Sequence, residues 1–266
     1  MADHDPHDLL ALALRAAEDA GALAARGQAG IAVLDTKSSP TDVVTEMDRA
    51  AEELIREVLL GARPGDAILG EEGGAAEGRS GVRWLVDPID GTVNYLYGRP
   101  DWAVSIAAEA DGVVVAGVVF APARGTVYTA VLGEGATRDG SPITAAPRVG
   151  LGLALVGTGF GYAAQRRVHQ AAVLSEVVPR VRDIRRAGAA ALDLCAVADG
   201  QLNAYYERGL HPWDWGAGAL VAQEAGARVG GLRGLGPNGD LTLAAAPGLF
   251  EELHNLLEPL GADRDA

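Results

Sequence analysis

Three apolar, β-branched segments lie almost end to end in the middle of the chain: Trp102 to Glu109, Gly112 to Ala121 and Thr126 to Val131. Only short Gly, Pro and Asp-containing stretches separate them, so they read as an antiparallel meander. Two shorter strands come before it. Ala67 to Gly70 ends in Glu71-Glu72-Gly73, and Val82 to Val86 is stopped by Asp87-Pro88. Further upstream, Leu9, Leu12, Ala16, Ala20 and Leu23 share one face of a helix from Asp8 to about Gln28, opposite Arg15, Glu18 and Asp19. Thr45 to Leu60 predicts a second helix, with Thr45 or Asp48 as its cap and Gly61 after its end. Lys37-Ser38-Ser39-Pro40-Thr41-Asp42 is a polar, turn-rich loop between the two helices.

After about residue 150 strands and helices alternate. Strands are expected at Leu153 to Gly157, Val181 to Arg186, Asn203 to Tyr206 and Leu241 to Ala245. Helices are expected at Ala164 to Val178, Ala189 to Ala198, Trp213 to Ala225 and Gly248 to Leu257. The chain of 266 residues therefore reads as two packed halves with no Gly/Ser linker. Residues 1–150 carry a helix pair and an antiparallel sheet with the acidic motifs, and residues 151–266 form an α/β half. A formal net charge of −14 argues against nucleic acid and anionic membranes as partners. A single cysteine, Cys195, excludes a disulfide framework and a cysteine-rich metal site. It lies in the apolar run Leu192-Asp193-Leu194-Cys195 and reads as a small core residue. No apolar run is long enough to span a membrane and no secretory signal is evident, so a cytoplasmic protein is expected.

The densest chemical signal is Trp84-Leu85-Val86-Asp87-Pro88-Ile89-Asp90-Gly91-Thr92-Val93-Asn94. An apolar strand delivers Asp87 at its end, and Pro88 cannot donate a ladder hydrogen bond. Asp90 follows in the turn before Gly91, where a missing Cβ lets a ligand approach the backbone. A helix starting there turns its free N–H groups outward as an anion site. Two such carboxylates repel unless a proton or a cation lies between them. No Lys, Arg or His occurs in the segment before Arg99. Oxygen ligands without His or Cys select Mg²⁺, Ca²⁺ or Mn²⁺ over zinc, and acids holding a cation beside outward N–H groups suit phosphoryl chemistry. As a lone Asp-Pro-x-Asp-Gly the motif would read as a capped turn. Glu71-Glu72 after one strand and Trp213-Asp214 before a small-residue helix make that reading insufficient.

Gly70-Glu71-Glu72, the Asp87 to Asn94 segment and Trp213-Asp214-Trp215-Gly216-Ala217-Gly218 resemble, in this order, the three signatures of the inositol monophosphatase family. Lys37 to Asp42 and Ala204-Tyr205-Tyr206-Glu207 are similar as well, and the likeness runs from about residue 8 to the final helix. The resemblance implies the layered α-β-α-β-α sandwich of the sugar-phosphatase superfamily, a homodimer, and a phosphatase for a small phosphomonoester, with myo-inositol monophosphate first. It implies two or three Mg²⁺ ions, for which Mn²⁺ can substitute, and sensitivity to lithium. Glu71, Asp87 and the Ile89 carbonyl would hold a first ion, and Asp87, Asp90 and Asp214 a second. Glu71 and Thr92 would position the attacking water, with Asp48 accepting from the Thr92 hydroxyl. The Gly91 and Thr92 N–H groups would hold phosphate, and Asp90, Glu207 and the backbone at Ala190 would meet the alcohol. Lys37 is a further candidate near the phosphate, weighed equally against an ordinary loop lysine.

Some positions depart from the family pattern. Ala189 stands where Ser or Thr is usual, Asn203 where Asp is common, and Gly157 to Tyr162 lacks a sharp hydroxyl-reading residue. Histidinol phosphate, fructose 1,6-bisphosphate and 3′-phosphoadenosine 5′-phosphate therefore compete as substrates, though the last calls for insertions not evident here. A different class of function, a transcription-machinery-binding protein on the same fold, also stays open. Arg180, Arg182, Arg185 and Arg186 form a basic run that reads first as solvated outward charge and second as a steering or partner surface. His169, His211 and His254 have no metal-ligand spacing.

Overall fold

An aspartate cap starts the first helix, α1 (Pro6–Gly27). The Asp5 carboxylate accepts the His7 N–H at 2.9 Å, and Pro6 gives up no helical bond at that position. The computed structural model describes residues 4–29, 31, 33–36 and 43–265. The loop from Lys37 to Asp42, Lys37 included, lies outside the described residues. Strands β1 (Val33–Thr36) and β2 (Val43–Thr45) pair antiparallel and lead into α2 (Glu46–Ala62). Both predicted caps act together in α2. The Thr45 hydroxyl accepts the Met47 and Asp48 N–H groups, while the Asp48 carboxylate accepts the Thr45 N–H at 2.7 Å.

The large sheet is built from β3 (Ala67–Gly70), β4 (Gly74–Ala76), β5 (Val82–Asp90), β6 (Ala103–Ala110), β7 (Val113–Ala121), β8 (Thr126–Val131), β9 (Gly135–Arg138) and β10 (Ser141–Ile143), with the short helix α3 (Thr92–Leu96) after β5. Its order is β10-β9-β8-β7-β6-β5-β3-β4. The meander read from the sequence is β6-β7-β8, and every pair is antiparallel except β3 with β5. One expectation changes. The strand through Trp84 does not stop at Asp87-Pro88 but runs on to Asp90. Asp87 faces Ser105 and Asp90 faces Ala103, so three steps along β5 match two along β6. The extra residue is a bulge, where a proline without N–H breaks no regular ladder bond.

The second sheet takes β11 (Leu155–Thr158), β12 (Asp183–Arg185), β13 (Ala204–Glu207), β14 (Arg228–Gly230) and β15 (Thr242–Ala245). Among them run α4 (Ala164–Val177), α5 (Ala190–Ala198), α6 (Pro212–Glu224) and, last, α7 (Leu249–Leu257). The order is β12-β11-β13-β15-β14, with β11 parallel to β12 and β13 and with β15 antiparallel to both neighbours. The short strands β1, β2, β4, β9, β10 and β14 were not foreseen, because three or four residues give too little alternation to read.

Three apolar cores separate the layers. Leu9, Leu12, Ile55 and Leu59 of α1 and α2 bury Trp84, Val86, Val104 and Val118 on one face of the large sheet. Its other face, with Leu85, Ala107 and Val119, meets Leu194, Val197, Leu220 and Val221 of α5 and α6, which also cover Tyr205 and Ala244 of the second sheet. Val173, Val177, Leu249 and Leu253 of α4 and α7 close the far side over Val156, Tyr206 and Leu243. The result is the α-β-α-β-α sandwich. Trp84 and Val86 face one way and Leu85 the other, as strand alternation requires, so Asp87 follows Leu85 towards α6. Among the described residues no helix is long and apolar enough to cross a membrane.

The small residues of α6 let it fit in the middle layer. A Cβ at Gly218 would lie 2.9 Å from Leu194 Cβ and 3.0 Å from the Ala191 carbonyl, and one at Gly117 of β7 would lie 3.1 Å from Ala217 Cα. The substitution Gly218→Val is expected to cost about 1–3 kcal/mol through overpacking, read by urea denaturation. Gly61→Ala, where an added Cβ meets nothing within 4 Å, should shift stability far less; equal effects would contradict the close-packing account.

Candidate active site

Because β3 and β5 are parallel neighbours, their C-terminal ends lie side by side. Glu71 continues from β3, with its N–H on the Val86 carbonyl at 3.1 Å, and Asp87 to Asp90 form the bulged end of β5. Glu52 of α2 shapes the Glu71 turn, accepting the N–H groups of Glu72 and Gly73 at 2.7 and 2.8 Å. The start of α6 is tied to the same edge. Ser105, opposite Asp87, donates to the Trp213 carbonyl at 3.1 Å, which brings Asp214 alongside. Asp214 accepts the His211 N–H at 2.6 Å, and the His211 ring stacks on Trp213 with centroids 4.7 Å apart.

Asp90 points across to α5. Its carboxylate accepts the N–H groups of Ala190 and Ala191 at 3.2 and 2.8 Å. Ala189, at the helix cap, has no side-chain oxygen to do this, so a carboxylate from another strand satisfies the first turn of α5. Asp48 is fully buried. It accepts from Thr92 Oγ1 at 3.0 Å on one oxygen and from the Thr45 N–H and hydroxyl on the other. The Ile89 carbonyl lies 3.2 Å from the same Thr92 hydroxyl, whose single proton serves one acceptor at a time. Gly91 takes φ +89°, a backbone that favours glycine. Asn94 fixes the turn, donating to the carbonyls of Asp101 at 2.7 Å and Ala187 at 2.9 Å. At the far end, Tyr205 donates to Glu207 at 2.6 Å. A small pocket opens beside Glu207, between Gly159, Phe160, Tyr206 and Leu241, and touches the acidic cluster only there.

The charges in this cleft are not balanced locally. Burial first, and then Glu71, Asp90 and Asp214, push the Asp87 carboxyl well above the usual carboxylate range. Burial, Glu71, Asp90 and Glu207 do the same to Asp214. Burial carries Asp90 up to about 7, against the two helix N–H groups that oppose the rise. Asp48 is raised by burial and by Glu71. Asp87 and Glu71 are hydrogen-bonded to each other, which needs a proton between two carboxyls or a cation in its place. No Lys, Arg or His side chain is a leading influence on Asp87, Asp90 or Asp214.

The sequence-predicted residues Asp48, Glu71, Asp87, Ile89, Asp90, Gly91, Thr92 and Asp214 thus share one cleft, with Ala190 and Glu207 at its α5 and β13 side. Among the described residues no group of three or more Asp, Glu, His or Cys side chains is drawn tightly enough to hold a metal ion as it stands. The donors nevertheless fit a hard divalent cation in kind, being oxygen only, with Asp87 and Asp90 buried. Sequence reasoning missed Glu52, Asn94 and Asp193. Glu52 and Asp193 could have been found as acids on otherwise apolar helix faces. The remaining polar groups have structural partners. His169 meets the Gly261 carbonyl, His254 accepts the Arg233 N–H, and Asn203 accepts the Leu155 N–H. Cys195 is buried in α5, as its apolar surroundings suggested.

A model of the inositol monophosphatase family matches residues 5–260. A Mycobacterium tuberculosis (H37Rv) protein named inositol-1-monophosphatase SuhB is 46% identical, over 97% of this chain and 98% of its own. A Pasteurella multocida protein named Nus factor SuhB is 39% identical over 96% and 97%. The crystal structure of extragenic suppressor protein suhB from Bartonella henselae superposes with a TM-score of 0.89 at 33% identity, covering 94% of this chain and 98% of that one.

Carboxyls raised on folding keep protons that the unfolded chain has released, so their contribution falls as pH climbs from the ordinary carboxylate value through about 7, the Asp90 value. With chelator present, the melting temperature should fall from pH 6 to pH 8. Mg²⁺ should restore more at pH 8, where the carboxyls are ionised. A melting temperature that rises over that interval, or a Mg²⁺ effect larger at pH 6, would contradict this electrostatic picture.

Proposed function

Since the chain belongs to the inositol monophosphatase family, a family of phosphatases, we propose that it is a Mg²⁺-dependent phosphomonoesterase that hydrolyses myo-inositol monophosphate to inositol and phosphate. The observation that carries this reading is the convergence of Asp87, Asp90 and Asp214, which raise one another's pKa together with Glu71, beside the Thr92–Asp48 hydrogen bond. Glu71, Asp87 and the Ile89 carbonyl would hold one Mg²⁺, and Asp87, Asp90 and Asp214 another. A third ion through Glu71 and use of Mn²⁺ belong to the same reading. Bound there, divalent cations supply charge neutralisation for the phosphate oxygens and acidify water.

The chain's own groups do the rest. The Gly91 and Thr92 N–H groups, at the start of α3, orient a phosphate oxygen. Thr92 donates a hydrogen bond to Asp48, which leaves its oxygen lone pairs to accept from a water and hold it for attack. Asp48, buried and fixed by the Thr45 capping box, keeps that hydroxyl oriented. Glu207, fixed by Tyr205, accepts from a hydroxyl of the alcohol, as do the free lone pairs of Asp90. The protein would work as a cytoplasmic homodimer and be inhibited by lithium. A relative named Nus factor SuhB supports a second reading, a transcription-machinery-binding role beside catalysis. A pull-down with wild type and Asp90→Asn, set against their activities, separates the two.

Asp87→Asn and Asp214→Asn are each expected to abolish Mg²⁺-dependent phosphate release from inositol monophosphate while the circular dichroism spectrum stays unchanged; retained turnover would overturn the ligand assignment. Thr92→Val should lower kcat about 10²-fold or more with little change in KM, and Thr92→Ser should recover most of it. An equal loss in both variants would remove the hydroxyl from the mechanism.

A further inference from the structure

The basic run after α4 divides into two kinds of arginine. Arg180 pairs with Glu176 at 3.0 Å and Arg185 with Asp183 at 2.6 Å, the solvated outward charges read from the sequence. Arg182 and Arg186 are exposed and their side chains have no ion pair or hydrogen bond among the described residues, and of the two only Arg186 is turned towards the cleft, by its place against Gly188 and its influence on Glu207. The Arg186 guanidinium lies against Gly188, where an added Cβ would sit 2.1 Å from Arg186 Nη1. Gly188 has φ +94°, and its carbonyl would lie 3.2 Å from a Cβ on Gly91. One glycine therefore separates the Arg186 fork from the Gly91–Thr92 turn.

The reach of this charge is directional. Arg186 is a leading influence on Glu207 and on Asp193, lowering both against the rise that burial imposes. It is not among the leading influences on Asp87, Asp90 or Asp214. The guanidinium thus belongs to the alcohol side of the cleft, away from the acids assigned to cations. Asp193 adds a second sign of an electrostatically built floor there. It is buried on α5 with one carboxylate oxygen lacking any hydrogen-bond partner.

A neutral polyol would use Glu207 and leave Arg186 without a partner. An unpaired guanidinium presents a planar fork of donors matched to two oxygens of a carboxylate or phosphate. We infer that Arg186 is a specificity-determining residue that reads an anionic substituent, a second phosphate or a carboxylate, on the alcohol carrying the scissile phosphate. The inference rests on the proposed phosphatase reading and deepens it. It adds sugar bisphosphates and phosphorylated hydroxy acids to the phosphomonoesters this site would take.

The test uses matched pairs that differ by the anion alone: fructose 1,6-bisphosphate against fructose 1-phosphate, and 3-phosphoglycerate against glycerol 3-phosphate. For wild type, Arg186→Ala and Arg186→Lys, kcat/KM is measured with Mg²⁺. Binding of the same compounds is measured by calorimetry with Ca²⁺ in place of Mg²⁺. Arg186→Ala should cut the preference for the anion-bearing member of at least one pair by tenfold or more, in binding as in turnover. Arg186→Lys should keep part of it, and the pair affected tells phosphate from carboxylate. Equal changes in both members of each pair, or none, overturn the inference. An Arg186-dependent binding preference in a protein that releases no phosphate from any compound keeps the inference and overturns the phosphatase reading instead.

Discussion

Repulsion among buried carboxylates is the constraint around which this fold is arranged. Glu71, Asp87, Asp90 and Asp214 come from a strand end, a bulge and a helix start, and no Lys, Arg or His side chain is a leading influence on the three aspartates. Such a cluster is costly in an apolar interior, and the surrounding structure holds it rigidly. Glu52 grips the Glu71 turn, Asn94 ties the Gly91 turn to two carbonyls, and Ser105 anchors the start of α6. The strain falls on charge and not on packing, because the three apolar cores are complete without the acids. Cation binding is the natural relief for a site of this kind.

Sheet topology supplies the geometry. In an antiparallel sheet, adjacent strands end at opposite edges. The one parallel pair of the large sheet, β3 with β5, brings two strand ends to the same edge. The bulge at Pro88 then turns Asp90 away from the line of Asp87, towards the first turn of α5. That single carboxylate links the large sheet to the middle helical layer and faces both the acid cluster and Glu207. Opposite it, the capping box of α2 fixes the carboxylate that holds Thr92. Local helix chemistry and the candidate reaction share the same atoms.

Much of this was legible in the residues. Long periodic segments gave α1, α2 and the β6-β7-β8 meander, because ten or more residues of consistent spacing leave little choice of burial. The acids of the site were legible because like charges in an apolar strand end have no other ready explanation. Two kinds of feature were not. The strand through Pro88 continues because β6 offers a bulge register, which depends on a partner far along the chain. Glu52, Asn94 and Arg186 act through neighbours 20 to about 100 residues away, and no local pattern reports such contacts. Arg186 was grouped with its exposed neighbours by sequence, and only the glycine beneath it separates it from them.

The proposed cation site makes one direct claim: a divalent cation that binds carboxyls held above the usual carboxylate range displaces protons from them. Calorimetric titration of Mg²⁺ into the metal-free protein at pH 7, repeated in buffers of different ionisation enthalpy, counts the protons released on binding. The account predicts saturable binding with release of a substantial fraction of a proton or more per chain, lost in Asp87→Asn. Binding with no proton release, or no binding at all, would contradict it.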